Sequence, residues 1–105
     1  MPELTGNAQA SAQLSRPSVL VAENWPDARL VFFRLRPGQE VATHTSASSV
    51  FISVLSGSGF LTGAEGERPV SGGMVVAIAP REAHGMRAGD SELVLAAVIA
   101  PRPGG

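Results

Sequence analysis

Two stretches decide the fold: PGQEVATHTSASSVFISVLSG, residues 37–57, and GMVVAIAPREAH, residues 73–84. Each carries a glycine at or near its start, runs through apolar and β-branched residues, and holds one of the chain's only two histidines, His44 and His84. In the first, a Pro37-Gly38 turn precedes His44, an apolar run follows over 50–55, and Ser56-Gly57-Ser58-Gly59 closes it. In the second, the apolar run 74–79 meets a turn at Pro80 before His84. Short apolar runs bounded by glycine and proline read as strands.

The same pattern holds outward from these stretches. Val19, Leu20 and Val21 mark a first strand over 18–22, ended by Asn24-Trp25-Pro26-Asp27. Over 28–36, Val31, Phe33 and Leu35 share one face and Leu30, Phe32, Arg34 and Arg36 the other. Apolar residues on both faces at 30–33 predict burial on both sides. Further strands are predicted over 39–46, 50–55, 60–62, 74–79, 84–88 and 92–100, with turns at 63–66 and at Gly89-Asp90-Ser91. Eight or nine short strands and no amphipathic helix predict an all-β sandwich or barrel over 18–100. The polar, small residues 1–17 predict an irregular N-terminal arm, and 101–105 a tail with nothing to hold it as a regular element.

Composition narrows the function classes. The 105 residues suit one domain, with 44% apolar and 16% charged residues and a formal net charge of −1. That balance argues against disorder and supplies no basic field for nucleic acid. There is no cysteine, hence no disulfide or thiolate chemistry. The longest apolar run, 93–100, is far short of the roughly 20 residues that span a bilayer. No secretory signal pattern opens the chain, and a cytoplasmic location is expected. The glycines of 57–66 precede no helix and read as turn residues, not a phosphate loop. Serines flank His44, yet no carboxylate is placed to orient the imidazole, which argues against hydrolase chemistry.

The spacing of glycines and histidines resembles the cupin family, the double-stranded β-helix or jelly-roll barrels. In that family's first motif a glycine, five residues and His-x-His are followed by a glutamate and a closing glycine. Gly38, His44 and Gly57 stand at those positions. The second motif, a glycine, an apolar strand, a proline turn and a histidine, corresponds to 73–84. The resemblance implies a cupin barrel, commonly a homodimer, with a divalent metal held by three histidines and the glutamate. Here the second histidine falls on Ser46 and the glutamate on Val50, so only His44 and His84 match.

A serine hydroxyl is a weak ligand beside imidazole, and valine is none; sites for such ions want three or four N, S or carboxylate donors. Glu40 and Asp90 lie too far along their strands, which leaves Glu82 as the one substitute carboxylate. The expected pocket comprises His44, His84, Ser46, Val50 and Met86, and the expected metal set, for iron, manganese, zinc or nickel, His44, His84 and Glu82. The leading expectation is a module that binds a small polar molecule in the barrel around His44 and His84; the alternatives are a metal-dependent oxygenase or isomerase with an incomplete ligand set, and a structural or accessory dimer without a ligand. Phe32, Phe33, Phe51, Phe60 and Trp25 are expected in the core, and Met74 and Met86 near the barrel mouth. An arginine beside such a pocket would hold a carboxylate by a bidentate pair, which singles out Arg34 and Arg36, though the default expectation is that both are solvated or at a subunit edge.

Overall fold

The computed structural model describes residues 16–103, so most of the N-terminal arm, 1–15, and the last two residues of the tail lie outside it. The described residues form seven strands and no helix. In chain order these are β1 (Ser18–Asn24), β2 (Arg29–Leu35), β3 (Glu40–His44), β4 (Ser49–Gly63), β5 (Gly66–Ser71), β6 (Val75–Ile78) and β7 (His84–Ala100). All pairings are antiparallel, in the order β1-β2-β7-β4-β5, with β3 added to β7 and β6 to β4.

Two predicted breaks are absent. Residues 89–91, read as a turn, lie inside the 17-residue β7, and 56–59 lie inside the 15-residue β4. The reason is the close approach of these two strands. A Cβ on Gly57 would overlap the carbonyl oxygen of Glu92, and one on Gly59 that of Arg87. Glycine is needed there so that the strands can pair, and the register shifts at Val54/Ser56 and Gly57/Gly59 absorb the bend. The stretch 68–70 belongs to β5, where Pro69 is tolerated because β5 is an edge strand.

The bend divides the molecule into two layers that share β4 and β7. One contains β1, β2, the C-terminal half of β7, the N-terminal half of β4, and β6. The other contains β3, the first residues of β7, the far half of β4, and β5. Alternation points Leu35, Val50, Ile52, Leu93 and Leu95 from the first layer, and Leu61, Val70, Met86 and Ala88 from the second, into one core cluster. Leu35, Ile52, Leu93 and Leu95 are the largest fully buried side chains, each contributing about 1.5–3 kcal/mol.

The outer face of the first layer is unusual. Across it run Ala77, Phe51, Val98 and Leu30 in one register row, and Val75, Ser53, Ala96, Phe32 and Leu20 in the next. Val75, Leu20, Phe51 and Val98 are all exposed. Phe51 is therefore not a core residue, because β4's alternation turns it outward while Val50 and Ile52 turn inward. Nor is Trp25, which is 59% exposed in the β1–β2 turn, where it exchanges backbone hydrogen bonds with Ala28.

Candidate functional site

Among the described residues β3 pairs only with the start of β7, and that pairing sets His44 directly opposite His84. Gly85 makes the approach close, since a Cβ there would stand 3.0 Å from the backbone N and Cα of Thr43. The two imidazole rings lie 4.3 Å apart between centroids, tilted by 58°. His84 is buried and His44 exposed.

The rings are held alike. His44 Nδ1 is 2.9 Å from the Ala42 carbonyl oxygen, and His84 Nδ1 is 2.9 Å from that of Glu82. A carbonyl oxygen only accepts, so Nδ1 carries the proton in each neutral ring and Nε2 the free lone pair. The fold therefore provides two neighbouring Nε2 acceptors, each ring oriented by the backbone carbonyl two residues upstream.

Both histidines line a cavity of about 520 Å³ between the layers, together with Ser46, Val50 and Met86. Its walls are mostly apolar, from Phe33, Val41, Ile52, Ala97 and Ile99, with Thr45 and Ser48 adding hydroxyls. Phe33, Ala97 and Ile99 follow from the inward alternation of β2 and β7, a signal that the sequence holds. Residues 101–103, read only as a tail, also line the cavity. The hydroxyl of the buried Ser48 donates to the Pro101 carbonyl at 2.6 Å, and Arg102 N donates to Pro26 O at 3.4 Å. No local sequence signal announces this contact.

Glu82 is not among the lining residues. Its carboxylate accepts the Ala79 backbone N–H at 3.0 Å, which caps the turn before His84, and only its backbone carbonyl serves the site. Glu40 and Asp90 are also absent from the cavity wall. Among the described residues no group of three His, Cys, Asp or Glu is close enough to hold an ion. Ser46 Oγ accepts from Ser48 N at 3.1 Å. Two imidazoles without a carboxylate fall short of the three protein donors of a resident catalytic ion, so a resident divalent metal does not fit this set.

Arg34 and Arg36 are solvent-exposed, as expected by default; Arg34 pairs with Glu92 at 2.8 Å on the outer face, and neither reaches the cavity. The arginine that lines it is Arg102. Met74 lies in a separate open groove with Phe60, Arg87 and Asp90, away from the histidines.

No protein-family model matches the sequence, and no curated protein matches it. Solved structures do match. A conserved protein with a double-stranded β-helix domain from Klebsiella pneumoniae subsp. pneumoniae superposes with a TM-score of 0.78 at 25% identity, over 86% of this chain and 81% of that one. An RmlC-like cupin family protein from Methanocaldococcus jannaschii gives 0.77 at 21% identity, over 85% and 84%. A predicted oxalate decarboxylase from Thermotoga maritima gives 0.68 at 26% identity, over 71% and 68%.

Proposed function

We propose, from the cupin-superfamily fold that this chain has, that it binds a small, largely apolar molecule bearing a hydroxyl or amino group, without a resident metal. The observation that supports this reading is the pair of Nε2 acceptors in an apolar-walled cavity of about 520 Å³. A ligand group that donates two hydrogen bonds, or two donors side by side, satisfies both nitrogens, while the apolar body displaces water from Phe33, Val41, Ile52 and Ile99. A cavity of that size also speaks against a purely structural barrel packed shut by its own side chains.

Metal analysis of the purified protein, with native mass spectrometry of the wild type and of His44→Ala and His84→Ala, tests it. Expected is a co-purifying small molecule that both variants lose, with no stoichiometric metal. Near-stoichiometric iron, manganese, zinc or nickel that leaves with His84→Ala would overturn the metal-free reading in favour of a metal-dependent enzyme.

The chain acts as a homodimer in this reading, joined through the outer face of the first layer. Five strands at ~4.8 Å spacing and seven residues at ~3.4 Å rise give a footprint of roughly 550 Å² before side-chain relief is counted. A standard interface needs about 800 Å² per partner. A patch this apolar is itself near the limit that monomers leave exposed. The charges near it sit at its margin, Glu23 on β1 and the Arg34–Glu92 pair, so two copies related by a twofold axis can meet without burying a lone charge. Light scattering after size exclusion should give twice 10.8 kDa, and Phe51→Lys with Val98→Glu should give monomers with an unchanged circular dichroism spectrum. A wild-type monomer at ~100 μM, or a dimer that survives both substitutions, would sink this face as the interface.

A further inference from the structure

We propose that Arg102 anchors a carboxylate of the molecule bound in the cavity, so that the ligand class is a small acid with an apolar body. The proposal rests on the cavity being a binding site, as above, and adds the charge of what it takes. Among the described residues that line the cavity, Arg102 alone carries a permanent charge, and none is Asp or Glu. The described arginines near carboxylates are already neutralised elsewhere: Arg34 by Glu92, and Arg87 by a two-pronged contact with Glu67 at 2.8 and 3.0 Å. No carboxylate among the described residues pairs with Arg102. An arginine that lines an apolar cavity without an internal counter-ion is matched by an anion that enters from outside.

The backbone that carries Arg102 is set in place before any ligand arrives. Pro101 and Pro103 flank it and restrict the chain, the Ser48 hydroxyl holds the Pro101 carbonyl at 2.6 Å, and Arg102 N is bonded to Pro26 O. Such anchoring reduces the ordering cost of closing a fork on a carboxylate. The histidines and the arginine then divide the ligand between them. The Nε2 acceptors take a hydroxyl or amino group, Arg102 takes the carboxylate, and the apolar walls take what lies between.

Matched acid and amide pairs separate the terms: phenylacetate with phenylacetamide, 4-hydroxyphenylacetate with 4-hydroxyphenylacetamide, and hexanoate with hexanamide. Each is titrated into wild type and Arg102→Gln by heteronuclear NMR, with the His44 and His84 ring resonances as the pocket reporter. Expected is binding of an acid roughly ten- to a hundredfold tighter than its amide in wild type. In Arg102→Gln the acid should fall to the level of the amide, while amide affinity stays put. If acid and amide bind wild type equally, or the acid's advantage survives Arg102→Gln, the anchor is wrong while the cavity remains a binding site. If none of the six shifts the histidine rings, the binding reading fails and takes the anchor with it.

Discussion

Replacing Gly57 with alanine is expected to destabilise the chain by about 4–5 kcal/mol, whereas the same change at Gly38 costs about 1–2 kcal/mol. The two glycines have nearly the same φ, 83° and 87°, so the penalty for a Cβ on a left-handed residue is common to both. They differ in space. A Cβ on Gly38 meets nothing within 4 Å. On Gly57 it overlaps the Glu92 carbonyl oxygen and stands 2.8 Å from its carbon and 3.2 Å from Leu93 Cα. These are backbone atoms of β7, which cannot swing aside as a side chain does, so β4 and β7 must part where Gly57 pairs with Leu93. Two disturbed ladder hydrogen bonds cost about 1 kcal/mol each. Partial exposure of Leu93, which is wholly buried, adds about 1 kcal/mol. A domain of this size has about 5–15 kcal/mol in all, so the variant should unfold at much lower urea or fail to fold. Urea titrations of both variants by far-ultraviolet circular dichroism give the comparison. If they lie within about 1 kcal/mol of each other, the close approach of β4 and β7 is not what glycine serves at 57.

Gly85→Ala should act on the site more than on the core, because the strand it pushes away, β3, pairs among the described residues only with β7. A loss of about 1–2 kcal/mol is expected, with disappearance of the nuclear Overhauser contact between the His44 and His84 rings; persistence of that contact at wild-type stability would refute it. Glu67 supplies a pH dependence. Its hydrogen bonds with Arg87 hold its carboxyl below the usual 4.5, against a smaller opposing effect of desolvation. A lowered folded-state pKa stabilises above the unfolded value and loses that contribution as pH falls through the folded one. The stability gap between wild type and Glu67→Gln should therefore be present at about pH 6 and shrink below pH ~4; a gap independent of pH would argue against the pairing. Being surface-exposed, the pair is expected to give a small effect, further reduced by salt.

The strands were legible because alternation is a local property. Val31, Phe33 and Leu35 announce an inward face whatever else the chain does, and Pro37-Gly38 ends β2 in any context. The failures share one cause. Gly57, Gly59 and the Gly89-Asp90-Ser91 triplet look like breaks because the usual reason for such residues is a turn; here the two central glycines exist for a neighbouring backbone distant in sequence. Phe51 and Trp25 look like core residues because hydrophobicity is local, whereas which face meets the interior is not.

By itself the sequence determined the all-β class, the frame of glycines around His44 and His84, and the absence of a histidine at 46 and a glutamate at 50. These follow from residue identity and short-range spacing. Tertiary structure alone decided that the two histidines, forty residues apart, meet as tilted rings 4.3 Å apart with Nδ1 of each held by a backbone carbonyl, that the Glu82 carboxylate caps a turn, and that Arg102 joins their cavity. Contacts between distant parts of the chain depend on register, on which glycines let strands approach, and on how a terminal segment folds back. None of these leaves a periodic trace in the residues that make the contact.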